Sequence, residues 1–119
     1  MRLGLCLFLL LGLAWAAPPP LFGPSLPEGT EIRLLSPDLR TLHGAWRVER
    51  GRLVPLSQPL PPRPGQEVRL LLVLPGGGPQ AFQGIADRGD VWLLQGRERW
   101  SLRELLLLYR LVLPERFWP

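Results

Sequence analysis

The stretch from Gln66 to Leu74 limits what this chain can fold into more than any other. Along an extended strand, Val68, Leu70, Leu72 and Leu74 fall on one side, and Leu71 and Val73 on the other. Pro75-Gly76-Gly77-Gly78-Pro79 follows at once and ends any regular element. A strand apolar on both faces is expected to be covered on both faces, so it predicts a central strand in a layered β domain.

Shorter strand signals surround it. Glu31 to Leu35 is bounded by the turn signal Ser36-Pro37-Asp38, and Ala45-Trp46-Arg47-Val48 alternates apolar with charged. Glu49-Arg50-Gly51 reads as a hairpin loop built on a type I turn with Gly51 left-handed. Leu53 to Leu56 is the return strand, and Pro55 marks it as an edge. The pattern then recurs. Glu31-Ile32-Arg33-Leu34-Leu35 returns as Glu67-Val68-Arg69-Leu70-Leu71, and Ala45-Trp46 returns as Ala81-Phe82 at the same offset. Glu49-Arg50-Gly51 returns as Asp87-Arg88-Gly89 after a two-residue shift. Two copies are too few for a solenoid. They predict two similar three-stranded units that bury each other's apolar side, packed face to face or joined in one closed sheet.

The chain closes on a helix signal. Ser101 stands at the N-cap, Glu104 three residues on, and Trp100 and Leu105 hold the staple positions. The helix is expected over about 102–113, stopped by Pro114, with a strand over Leu105 to Leu113 as the competing reading because four consecutive leucines have no helical phase. Nine of its residues are apolar: Leu102, Leu105, Leu106, Leu107, Leu108, Tyr109, Leu111, Val112 and Leu113. That exceeds the stripe of a free surface helix, so it must be nearly buried or dock on something else. The fold expected is mainly β, a small antiparallel sandwich or partly closed barrel of six to seven strands with one C-terminal α-helix.

The other end reads as a targeting segment. Arg2 is followed by the apolar run Leu3 to Leu13, then Ala14-Trp15-Ala16 and three prolines after Ala17. Small residues at −3 and −1 suit a signal peptidase, and the prolines keep the segment after the site extended. The apolar run is shorter than the roughly twenty residues of a membrane span. The organisation expected is therefore a signal peptide over 1–16, a Pro/Gly-rich leader over 17–30, and one β-rich domain over 31–119. Export to a periplasm, an envelope or the medium follows, with no transmembrane span in the mature chain.

The lone cysteine, Cys6, leaves with that leader, which removes thiol chemistry and disulfides. A single histidine, His43, gives no transition-metal cluster. A serine–histidine–aspartate site would need His43 with Asp38, and no nucleophile elbow surrounds any serine. Asp87, Asp90 and Glu98 lack the alternating spacing of a calcium loop. Gly76 to Gly78 is no phosphate loop, since no Lys-Ser/Thr follows. Arg88-Gly89-Asp90 spells an adhesion tripeptide, but turn geometry alone accounts for it. No cofactor or metal is expected, and no residue is assigned a catalytic role.

The leading expectation is a non-enzymatic binding or structural domain of the cell envelope. Its contacts would run through the helix and tail (Leu107, Arg110, Phe117, Trp118), to an envelope protein or to a second copy in a homo-oligomer. Two alternatives remain. A small carboxylate-dependent hydrolase or carbohydrate-active enzyme needs two converging carboxylates, one with a raised pKa. A binder of anionic polymer needs Arg47, Arg50, Arg97 and Arg99 gathered on one face; the chain's formal charge of +4 permits this and does not require it.

Overall fold

Alternating burial sets the strands. In β1 (Glu31–Leu35), Ile32 and Leu34 are buried while Arg33 is exposed. β2 (Leu42–Glu49) and β3 (Arg52–Pro55) complete a first meander; β4 (Glu67–Val73), β5 (Pro79–Asp87) and β6 (Asp90–Gln95) make a second. β7 (Glu98–Ser101) leads directly into α1 (Leu102–Leu108). A computed structural model describes residues 22–114, 117 and 118. The expected signal peptide over 1–16, and residues 17–21 of the expected leader, lie outside the described residues.

The seven strands form one antiparallel sheet in the order β3-β2-β1-β4-β5-β6-β7, and it is not closed. The fold is thus mainly β with a single C-terminal helix, as the sequence implies. β3, which carries Pro55, is an edge strand.

The two meanders meet along β1 and β4. Leu34 pairs with Leu70, and Ile32 with Leu72. Leu34 and Leu70 are equivalent in the repeated pentapeptide, so a local two-fold axis runs between them. Beyond that seam the repeat departs from its expected alignment. Ile32 stands opposite Trp46, but its counterpart Val68 stands opposite Gly84. Trp46 therefore corresponds to Gly84, and Gly44 to Phe82. The two-residue shift falls in the first connection of each meander, not after the aromatic residue. Each meander puts one large and one small residue at these two places, in opposite order. The Trp46 ring lies over Gly44, where an added Cβ would sit 2.2 Å from it. In the second meander the large residue is Phe82, and the space at Gly84 is taken by Val68 and Leu93, 3.2 and 3.3 Å from where a Cβ would stand. Gly44→Ala is accordingly expected to destabilise by about 2 kcal/mol through overpacking. Urea denaturation measures the loss.

Each meander closes on a two-residue hairpin. Glu49 pairs with Arg52 and Asp87 with Asp90, which leaves Arg50-Gly51 and Arg88-Gly89 as the turns. All four residues have positive φ, between 47° and 76°. These are the conformations of type I′ turns, whose twist matches the flanking strands. They replace the expected type I turn in which Gly51 alone is left-handed.

One face of the sheet carries the core. Ile32, Leu34, Trp46, Val48, Val68, Leu70, Leu72, Ala86, Val91 and Leu93 are buried there. Three segments cover them. The buried residues Leu102, Leu105 and Leu106 of α1 join this cluster. The chain after the helix adds Leu111, Leu113 and Phe117. Phe22 joins from the other end, edge-on to Phe82 and stacked on Tyr109, whose hydroxyl donates to the Gly23 carbonyl. That burial raises the Tyr109 pKa above the usual phenol value. The last part of the expected leader, from Phe22 onward, is thus docked on the sheet.

The opposite face is not covered as the sequence implied. Leu71 and Val73 of β4 are only partly buried, because no described element lies over them. A sheet apolar on both sides here has one packed face and one half-open face.

The helix ends earlier than expected, at Leu108 and not Leu113. Arg110 takes φ 61°, its amide donates to Leu107 O at 2.9 Å, and the Leu111 amide donates to Leu106 O at 2.9 Å. This is a Schellman cap with arginine where glycine is usual, and buried Leu106 and Leu111 supply its apolar contact.

Candidate functional site

The start of α1 is fixed by a buried carboxylate. Asp90 follows the second hairpin and is only 9% exposed. Its Oδ1 accepts from the Val91 amide at 2.7 Å and the Arg103 amide at 3.2 Å, and its Oδ2 accepts from the Ser101 hydroxyl. Ser101 Oγ in turn accepts from the Glu104 amide at 3.2 Å. Arg103 also reaches back to Gly89 O at 3.0 Å. The aspartate of Arg88-Gly89-Asp90 is therefore engaged in capping the helix and is not displayed to a receptor.

Other carboxylates are held singly. Glu31 accepts from Arg33 at 2.7 Å and Arg47 at 3.1 Å, and these bonds lower its pKa. Asp38 accepts from Ser36 Oγ at 2.5 Å and the Arg40 amide at 3.1 Å, and its pKa is lowered too. Neither is the raised acid that glycoside hydrolysis calls for. His43 is buried, and its Nδ1 lies 2.9 Å from Leu60 O, which makes Nδ1 the protonated nitrogen. A backbone carbonyl thus takes the place that Asp38 would need, and the His43–Asp38 alignment is not assembled. Asp87 and Glu98 stand at opposite ends of β6. Among the described residues no group of three His, Cys, Asp or Glu side chains could hold a metal ion.

The four expected arginines divide into two pairs. Arg47 and Arg50 belong to β2 and its hairpin; Arg97 and Arg99 belong to the β6–β7 turn and β7. β1, β4, β5 and β6 lie between, a separation of roughly 24 Å at about 4.8 Å per strand. Arg47 is paired with Glu31 at 3.1 Å and Glu49 at 3.5 Å. The structure does not bring the four into one patch.

The helix and tail residues also part company. Phe117 is 2% exposed and packs edge-on to Trp46, with ring centroids 4.9 Å apart, so it is part of the core. Together with Pro55, Pro59, Pro61 and Pro114 these two rings line a hollow of about 330 Å³ that has no charged wall. Trp118 is half-buried beneath Arg103, whose guanidinium carbon lies 5.1 Å from the ring. Arg110 is exposed at the helix cap.

Leu107 keeps its expected place. It is 58% exposed, beside Leu108 at 56% and Val112 at 69%. Leu107, Val112 and Trp118 border one shallow hollow between α1 and the tail. Val112 and Leu108 were not singled out by the sequence. Both fall inside the expected longer helix, and only the Schellman turn lifts Val112 off the core. Among the described residues no helix is long and apolar enough to cross a membrane.

No protein-family model, curated protein or solved structure matches the chain.

Proposed function

We propose that the chain is an exported, non-enzymatic binding or structural domain of the cell envelope, and that it meets an apolar partner surface through the end of α1. The observation that carries this reading is the triplet Leu107, Leu108 and Val112, each more than half exposed, of which Leu107 and Val112 border the Trp118 hollow. The same helix buries Leu102, Leu105 and Leu106 against the sheet and leaves Leu107 and Leu108 more than half exposed. Clustered exposed apolar side chains of this size mark contact sites. The export part rests on Arg2, the run Leu3 to Leu13 and the Ala14-Trp15-Ala16 site.

The test is enrichment from envelope extract with the mature chain, set beside Leu107→Glu/Val112→Glu. Both positions are exposed, so the variant should unfold at an unchanged midpoint. The expected result is a partner recovered by the native chain and lost by the variant, with the native chain from the envelope beginning at Ala17. Sedimentation velocity reads the homo-oligomer version of the same contact. Equal recovery and equal mass for both chains would sink the proposal.

A further inference from the structure

The uncovered face of the sheet holds a second feature, independent of the helix end. Register places Leu35, Arg69, Gln83, Leu94 and Arg99 in one row across β1, β4, β5, β6 and β7. Trp92 lies in the adjacent row, between Ile85 and Ser101. It is half-buried, and Leu94, Gln83 and Arg99 are exposed. Arg69 and Arg99 are three strand spacings apart, roughly 14 Å.

The charges on this face are unevenly met. Arg33 and Arg47 share Glu31, and Arg47 also has Glu49. Arg69 and Arg99 form no ion pair among the described residues; the Arg69 guanidinium donates only to Val68 O at 3.1 Å. Glu67 stands in the next row, opposite Ile85, and Asp87 and Asp90 pair in the row beyond it, where Asp90 is engaged with the helix start. The row of Arg69 and Arg99 itself contains no acid.

We propose that the β4–β7 half of this face binds a linear carboxylated polysaccharide. Two guanidiniums without an ion pair of their own take carboxylates, which arginine holds in a planar, paired geometry. Gln83 between them can both donate to and accept from sugar hydroxyls. The Trp92 ring offers an apolar body with a polar edge, suited to the face of a sugar ring. A single-stranded nucleic acid fits less well, because successive bases need successive aromatic platforms. Trp92 is the one aromatic residue on this face among the described residues, since Trp46, Phe82 and Trp100 share the core side.

The experiment titrates the mature chain with polygalacturonate, and with neutral dextran and poly(dT) for comparison, reading tryptophan fluorescence at low and moderate salt. Binding to polygalacturonate alone is expected. Raising salt from about 50 to 200 mM should weaken it several-fold, since exposed charges are screened within about a Debye length. Arg69→Gln/Arg99→Gln should weaken it about tenfold or more, and either single change about threefold, as charge-assisted bonds are lost. Arg47→Gln, which removes an arginine already neutralised by Glu31, should leave it unchanged. Equal binding by the double variant, equal binding of dextran, tighter binding of poly(dT), or no binding of polygalacturonate would each overturn the proposal.

Discussion

Phe117→Ala is expected to destabilise the domain by about 3–5 kcal/mol, the range for deleting a buried aromatic ring. Phe117 is buried at 2% and closes the core over Trp46. It also forms part of the wall of an apolar hollow, which would enlarge and not collapse when the ring is removed. A cavity that cannot collapse puts the cost in the upper part of that range. Guanidinium or urea denaturation measures the loss, and near-UV circular dichroism should report a freed Trp46. Phe117→Leu, which keeps most of the volume, should cost much less. A change below about 1 kcal/mol for the alanine variant would mean that the tail is not docked as described.

Asp90→Ala should cost about 2–4 kcal/mol, because one buried carboxylate answers three donors. The Val91 and Arg103 amides and the Ser101 hydroxyl would all lose an acceptor. Each buried donor left unpaired costs about 1–3 kcal/mol, and water recovers part of that at a site so near the surface. Asp90→Asn keeps one carbonyl acceptor and should lose less. Ser101→Ala removes the cap on the Glu104 amide and the hydroxyl that donates to Asp90, and should cost about 1–2 kcal/mol. Hydrogen exchange separates local from global effects. In the alanine variant the Arg103 and Glu104 amides should exchange faster than those of β1 and β4. If Asp90→Ala and Ser101→Ala prove equal, the carboxylate adds nothing to the hydroxyl, and the network is misread.

Features governed by near neighbours were legible in the sequence. The pentapeptide Glu31–Leu35 and its copy Glu67–Leu71 mark the two strands that form the seam. Arg50-Gly51 and Arg88-Gly89 mark the hairpins, and Ser101 with Glu104 marks the helix start. Features decided by distant parts of the chain were not. Trp46 and Phe82 look equivalent in sequence, yet which of two alternate positions holds the large side chain depends on what covers it. The stop at Leu108 carries no glycine, so nothing local shows that Arg110 will turn left-handed. Phe117 reads as a contact residue of the tail because its partner, Trp46, lies on another element. The candidate arginines failed for a topological reason: the β2–β3 and β6–β7 hairpins that carry them stand at opposite edges of the sheet. Arg69 and Arg99 share a row only once the strand order is known.

The seam between β1 and β4 has a kinetic consequence. Of the six strand pairings, five join consecutive strands, and only β1–β4 spans a long connection. Local hairpins close quickly, whereas a distant pairing must first overcome loop-closure entropy. The conformational search therefore narrows to the encounter of β1 with β4. A substitution at Leu34 or Leu70 would act on that encounter and slow folding.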